Sequence, residues 1–128
     1  MIYVDTSVVL ATLFAEDRRP PAAFWTEHLI SSRLLELETW TRLHARRCPD
    51  DVVEAASRLV GSADLVEMTP VVLARALEPF PAPVRTLDAL HLATAAYLAA
   101  QGMRLRFATY DDRQTTVARA MKFDVFRP

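Results

Sequence analysis

The order of apolar runs and helical stretches predicts an α/β protein, a three-layer α/β/α arrangement with a mostly parallel central sheet, formed as one domain over residues 1–128. Three observations carry this expectation. Short strand-like runs alternate with helical periodicity, the pattern of parallel strands joined by crossover helices. The 128 residues, 52% of them hydrophobic, suffice to bury one core. Two apolar runs, Ile2-Tyr3-Val4 and Leu105 to Tyr110, each end on an acid, Asp5 and Asp111, and each leads into a helical segment. Strand ends of that kind line the ligand crevice of an open parallel sheet.

The first strand is expected over Ile2 to Asp5, followed by a helix from about Ser7 to Phe14. The tract Glu16 to Pro21 breaks it, and Pro21 suits the first position of a second helix carrying Phe24, Trp25 and His28. Leu29 to Ser31 reads as a short strand, and the spacing of Leu34, Leu35, Leu37, Glu38, Thr41 and Leu43 predicts a long helix from Ser32 to Arg46. Asp50 or Asp51 is placed to cap a helix through Leu59, closed by Gly61. Leu65 to Met68 reads as a strand, and Pro70 opens a helix that stops near Glu78-Pro79. After the proline-rich turn, Thr86 is a suitable cap for the alanine-rich helix Leu87 to Gln101, which Gly102 ends. The strand before Asp111, a helix containing Lys122 and a last strand complete the chain.

Composition removes several functions. No apolar run approaches the roughly 20 residues of a membrane span, and the N-terminus lacks the flanks of a signal peptide, so a soluble, cytoplasmic protein without membrane contact is expected. Cys48 is the one cysteine and can form no internal disulfide. Gly61 and Gly102 are the only glycines, too few and too far apart for a phosphate-cradling or dinucleotide-binding loop. His28, His44 and His91 have no zinc-ligand spacing. The net charge of −1 argues against a generic basic nucleic-acid binder. Yet of 15 cationic residues only Lys122 is lysine, leaving 14 arginines, whose planar fork suits phosphate; a GC-rich genome would produce the same bias.

Asp5, Glu38, Asp88 and Asp111 each have an ordinary explanation. Asp5 could simply cap the following helix, Glu38 could pair with Arg42 one turn on, Asp88 could serve a helix dipole, and one of Asp111 and Asp112 could be a helix-start residue. Taken together they suggest one pocket. Two carboxylates about 4 Å apart repel by roughly 4 kcal/mol at an effective dielectric of 20, so a cluster of four calls for cations. Ligation by oxygen alone selects Mg²⁺ or Mn²⁺ over zinc, and such ions serve phosphodiester hydrolysis. Between the adjacent acids, strand alternation lets only one face the pocket, and Asp111 at the strand end is preferred to Asp112 in the first helical turn. Arg42, Arg46 and Arg113 are candidates to hold phosphates at its rim, or else a solvated face.

Four segments carry a family resemblance: Met1-Ile2-Tyr3-Val4-Asp5-Thr6-Ser7, Ile30-Ser31-Ser32-Arg33-Leu34-Leu35 leading to Glu38, Leu87-Asp88-Ala89-Leu90-His91-Leu92-Ala93-Thr94-Ala95, and Ala108-Thr109-Tyr110-Asp111-Asp112-Arg113. In this order, over essentially the whole chain, they resemble the PIN-domain ribonucleases, specifically the VapC toxins of type II toxin–antitoxin pairs. The resemblance implies a Mg²⁺- or Mn²⁺-dependent endoribonuclease acting on structured RNA such as transfer or ribosomal RNA. It implies that Asp5, Glu38, Asp88 and Asp111 hold one or two ions, directly or through water, with Ser7, Thr109 and Asp112 supporting them. It further implies a homodimer and a small VapB-like antitoxin, for which the aromatic pair Phe24 and Trp25 offers a candidate groove.

Other classes fit less well. A phosphoaspartate receiver needs an acidic pair after its first strand and a lysine near its last, whereas Thr6 and Ser7 follow Asp5 and Lys122 falls in the final helix. An aspartate-nucleophile phosphatase needs a second Asp where Ser7 stands. A housekeeping RNA-processing nuclease of the same fold remains the nearest alternative, and an antitoxin gene directly upstream would separate the two.

Overall fold

β-branched and aromatic side chains set the strands, and every strand runs the same way. In the computed structural model, which describes residues 1–128, β1 (Ile2–Val4), β2 (Leu29–Ser32), β3 (Ala63–Val66), β4 (Arg106–Ala108) and β5 (Asp124–Phe126) form one parallel sheet in the order β3-β2-β1-β4-β5. Six α-helices connect them: α1 (Thr6–Leu13), α2 (Arg33–Ala45), α3 (Asp50–Gly61), α4 (Pro70–Leu77), α5 (Thr86–Ala100) and α6 (Asp112–Ala120). The three-layer α/β/α arrangement is the one expected.

Alternation along β1 divides the core. Ile2 and Val4 face one way and pack with Val8, Val9, Phe24, Leu35 and Val60. Tyr3 faces the other way and packs with Leu92, Leu98, Phe107 and Val117. Tyr3 and Phe107 stack with centroids 5.1 Å apart, tying β1 to β4. Both faces of the sheet are therefore covered, as a purely parallel sheet requires.

The chain leaves β1 toward β2 and β3 and later returns to its other side at β4 and β5, which makes the β1–β4 boundary the switch point of the sheet. Ligands of open α/β sheets bind beyond the strand ends at such a boundary. Asp5 follows β1 there, and Thr109 and Asp111 follow β4.

Several expected boundaries differ. The segment after Pro21 is a single 3₁₀ turn, Ala22–Thr26, because Glu27 is already extended and leads straight into β2. Phe24 is buried in the core and Trp25 stacks edge-on against it at 5.2 Å, so the groove reading of Phe24 is corrected: its ring is spent on packing. β3 lies two residues earlier than Leu65 to Met68, taking in the exposed Asp64, which pairs with His28 at 3.3 Å; a half-covered edge strand tolerates such a residue. Pro49 and Arg85, not Asp50, Asp51 or Thr86, occupy the cap positions of α3 and α5. Lys122 lies beyond α6 with φ 71°, in the left-handed conformation that ends a helix, as Gly102 does after α5 with φ 89°.

Candidate functional site

Asp5 caps α1, and its position is fixed by three donors on Oδ2: Ser7 Oγ at 2.6 Å, Thr109 Oγ1 at 2.9 Å and the Ser7 backbone N–H at 3.4 Å. Its side chain is buried, with 5% of the residue exposed. Thr109 comes from the far side of the switch point, so its hydroxyl joins the β1 end to the β4 end. Ser7 Oγ in turn accepts from the Tyr110 N–H at 3.0 Å, so the loop after β4 is anchored to α1.

Glu38 reaches the same place from α2. That helix begins cleanly because the Ser32 hydroxyl accepts from the Leu34 N–H at 3.1 Å, and Glu38 follows one and a half turns later. Thr6 Oγ1 donates to Glu38 Oε1 at 2.8 Å, and His91 Nε2 lies 2.7 Å from the same oxygen. Burial opposes the Glu38 anion, but the hydrogen bond and charge of His91, with Thr6 and Arg42, outweigh it and hold the carboxyl below its ordinary range.

His91, to which the sequence assigns no role, joins this network. Only 1% exposed, it stands on α5 one turn after Asp88 and lies 3.9 Å from Asp5 Oδ1. The Tyr3 hydroxyl sits 2.9 Å from its Nδ1. Burial pushes the Tyr3 phenol up, so Tyr3 stays neutral; its hydroxyl can donate to Nδ1 of a neutral imidazole or accept from Nδ1–H of the imidazolium, and in either form Nε2–H meets Glu38. Burial disfavours the His91 cation, yet the hydrogen bond to Glu38 and the charges of Asp5, Glu38 and Asp88 more than compensate, and its pKa is raised. The spacing Asp88-x-x-His91 was the available signal: both side chains fall on one helical face.

Asp88, in the first turn of α5, shows that the acids share one field. Its carboxyl is raised by burial first, then by the charges of Asp111, Asp5 and Glu38, with His91 opposing. Asp111 caps α6, accepting from the Gln114 N–H at 2.9 Å, while its own N–H donates to Thr109 Oγ1 at 3.0 Å. Asp112 turns away and pairs with Arg127, which holds its carboxyl below the ordinary range; the expectation that Asp112 supports the site is corrected, since its charge is satisfied by the C-terminal tail.

The donor set is oxygen-only across the four acids, which suits a hard divalent cation, and the mutual repulsion on Asp88 is what such a cation would relieve. His, Cys, Asp and Glu side chains do not, however, form any group of three or more spaced to grip an ion directly. Of the candidate rim arginines, Arg42 acts on Glu38, Arg113 lines a small cavity beside Asp88, and Arg46 sets its guanidinium carbon over the Phe14 ring, 3.9 Å from the centroid.

Known proteins resemble this chain over its whole length. The PIN domain family model matches residues 2–120. The chain is 31% identical over its full length to Ribonuclease VapC47 of Mycobacterium tuberculosis, covering 97% of that protein. It is 32% identical over 99% of its length to Ribonuclease VapC46 of Mycobacterium tuberculosis, again covering 97%. Ribonuclease VapC35 of the same organism is 29% identical, with 97% of it covered.

Proposed function

This chain belongs to the PIN-domain family and, within it, to the VapC ribonucleases, and from that premise we propose that it is a divalent-metal-dependent endoribonuclease toxin. The observation that carries the reading is geometric: Asp5, held by the Ser7 and Thr109 hydroxyls across the ends of β1 and β4, and Glu38 from α2 both lie against the buried His91. In this reading Asp5, Glu38, Asp88 and Asp111 hold Mg²⁺ or Mn²⁺, one or two ions, directly or through water. Such an ion, when bound, favours ionisation of the attacking water and offsets charge on the leaving oxygen.

The chain's own residues do the positioning. Ser7 and Thr109 fix Asp5 by their hydroxyls, and Thr6 and His91 fix Glu38, so two carboxylates are held before any ligand arrives. Preorganised charge of this kind avoids reorganisation when the reaction occurs. Hydrolysis adds water at phosphorus as one ester P–O bond breaks, and the rim arginines offset the phosphate charge that enters an acidic pocket.

The proposal extends to structured RNA, transfer or ribosomal, as substrate, to a homodimer, to a cytoplasmic location and to silencing by a small VapB-like antitoxin. No helix is long and apolar enough to cross a membrane. Trp25, half-buried beside Phe24, remains the candidate antitoxin contact on the 3₁₀ turn.

Incubating the purified, antitoxin-free chain with total RNA in Mg²⁺, Mn²⁺ or chelator tests the activity. We expect cleavage with either ion and none in chelator. Asp5→Asn, Glu38→Gln, Asp88→Asn and Asp111→Asn should each lower turnover by orders of magnitude, whereas Asp112→Asn should change it only a few-fold. Cleavage that survives chelation, or an Asp112 variant more damaged than the Asp111 one, would refute the assignment.

A further inference from the structure

The two carboxylates that lie against His91 each commit one oxygen to the protein and keep the other free. Asp5 Oδ2 accepts from the Ser7 and Thr109 hydroxyls at 2.6 Å and 2.9 Å, whereas Asp5 Oδ1 has no donor within hydrogen-bond range, His91 Nε2 standing off at 3.9 Å. Glu38 Oε1 meets the Thr6 hydroxyl at 2.8 Å and His91 Nε2 at 2.7 Å, and Glu38 Oε2 meets no donor. Neither free oxygen is among the buried polar atoms left without a partner, so both keep surface open to solvent.

His91 is itself held from behind. Tyr3 is fully buried on β1, its hydroxyl 2.9 Å from His91 Nδ1, and the two rings meet edge-on with centroids 6.0 Å apart. With Nδ1 engaged by that hydroxyl, Nε2–H faces Glu38 in the neutral and the charged ring alike. Core packing around Tyr3 and His91 leaves the imidazole no room to swing aside, since both rings are enclosed on all sides. Glu38 Oε1 therefore stays anchored by two donors, and a ligand that arrives from solvent finds Oε2.

We propose that Tyr3 and His91 are positioning residues that make Glu38 a one-oxygen ligand, and that this latch selects Mg²⁺ or Mn²⁺ against Ca²⁺. Ca²⁺ gathers about six to eight oxygens and readily takes both oxygens of one carboxylate, whereas Mg²⁺ demands an octahedral shell, keeps several waters and is content with single oxygens from one or two carboxylates. The latched pair offers the second kind of site. No group of three or more His, Cys, Asp or Glu side chains is spaced to grip an ion directly, so retained water has to complete the shell, which again favours the smaller ion. The inference rests on the nuclease reading above for the presence of an ion at these acids, and it names the residues that decide which ion is accepted.

Mn²⁺ alone, with no RNA present, is the probe: its paramagnetic resonance signal counts the free ion while Mg²⁺ or Ca²⁺ is added as competitor. Mg²⁺ should displace Mn²⁺ from wild type at roughly tenfold lower concentration than Ca²⁺ does, the order of one polar contact to a charged group. His91→Leu releases Oε1 to a second contact with Ca²⁺ and should bring the two competitors within about twofold of each other. His91→Gln keeps a side-chain N–H for Oε1 and should restore most of the gap, and Tyr3→Phe, which removes only the hydroxyl, should narrow it partway. A changed charge or a less stable fold moves both divalent ions alike, so their ratio is a readout that a purely structural role leaves in place. If the His91 variants fail to fold, Tyr3→Phe and the ring-nitrogen resonances of wild type decide: a slowly exchanging Nε2–H is expected, and a bare Nε2 would overturn the latch. No Mn²⁺ binding, equal displacement by Mg²⁺ and Ca²⁺ in wild type, or an unchanged ratio in folded His91→Leu would each overturn it as well. The expected shift of ratio in a chain that cuts no RNA would sink the nuclease reading and support the latch, while metal-dependent cleavage with an unchanged ratio would do the reverse.

Discussion

Asp88 carries the tension of the site in a single side chain. Burial and the charges of Asp111, Asp5 and Glu38 raise its carboxyl, so the folded chain binds that proton more tightly than the unfolded chain does. By linkage, the stabilisation this gives is fully present below the ordinary carboxyl range and is lost as pH rises through the raised value. Asp88→Asn removes the group that titrates. In chelator, the variant should therefore melt above wild type at neutral pH, with the gap narrowing as the solution is made acidic. Mg²⁺ should raise the melting temperature of wild type by mass action and that of the variant much less. A gap that widens on acidification would show that its neighbours do not hold the Asp88 proton. The acids themselves were legible because they close apolar runs or break them. His91 was not, since a polar residue on a core-facing helical position looks the same in a sequence whether it is a satisfied core group or part of a site.

Among the elements, α2 is the one whose start controls a site residue from a distance. Ser32 is fully buried, ends β2 and caps α2 through its hydroxyl, while the neighbouring Ser31 Oγ donates to the Val4 carbonyl at 2.6 Å. These two short side chains set where the helix begins relative to β1, and hence where Glu38 meets Thr6 and His91. Ser32→Ala should cost about 1 kcal/mol, typical of a lost helix cap, and lower the melting temperature by roughly 4 °C for a domain of this size. Differential scanning calorimetry against wild type measures it, and a shift below about 1 °C would mean that packing, not the cap, fixes the helix start. The start of α2 was legible to within one residue, since a strand precedes a leucine-rich helix there, but the sequence expectation takes Ser32 as the first helical residue and the structure makes it the cap. The position of β3 could not, because an edge strand is half-exposed and its apolar alternation is diluted by residues such as Asp64.

At the scale of the whole molecule, a net charge of −1 hides an opposition between an acidic pocket and an arginine-rich remainder. RNA must approach the first by way of the second. Counterion release makes single-strand binding fall with salt at a slope of about 0.7 per neutralised phosphate, so alanine at Arg42, Arg46 and Arg113 together should weaken binding and flatten the slope by at most about 2. The three are not equivalent in the structure. Arg113 lines the cavity beside Asp88, and Arg42 acts on Glu38, so both stand within the field of the pocket. Arg46 places its guanidinium against the Phe14 ring, so part of its effect is packing, which is insensitive to salt. The single variants should therefore rank Arg113→Ala and Arg42→Ala above Arg46→Ala in loss of salt slope, with Arg46→Ala showing the largest loss of thermal stability. Titrating a labelled single-stranded RNA at several salt concentrations in chelator gives the three slopes. A slope unchanged in the triple variant would place the phosphate path elsewhere on the surface, and an equal loss from all three would mean that Arg46 leaves its aromatic seat when RNA binds.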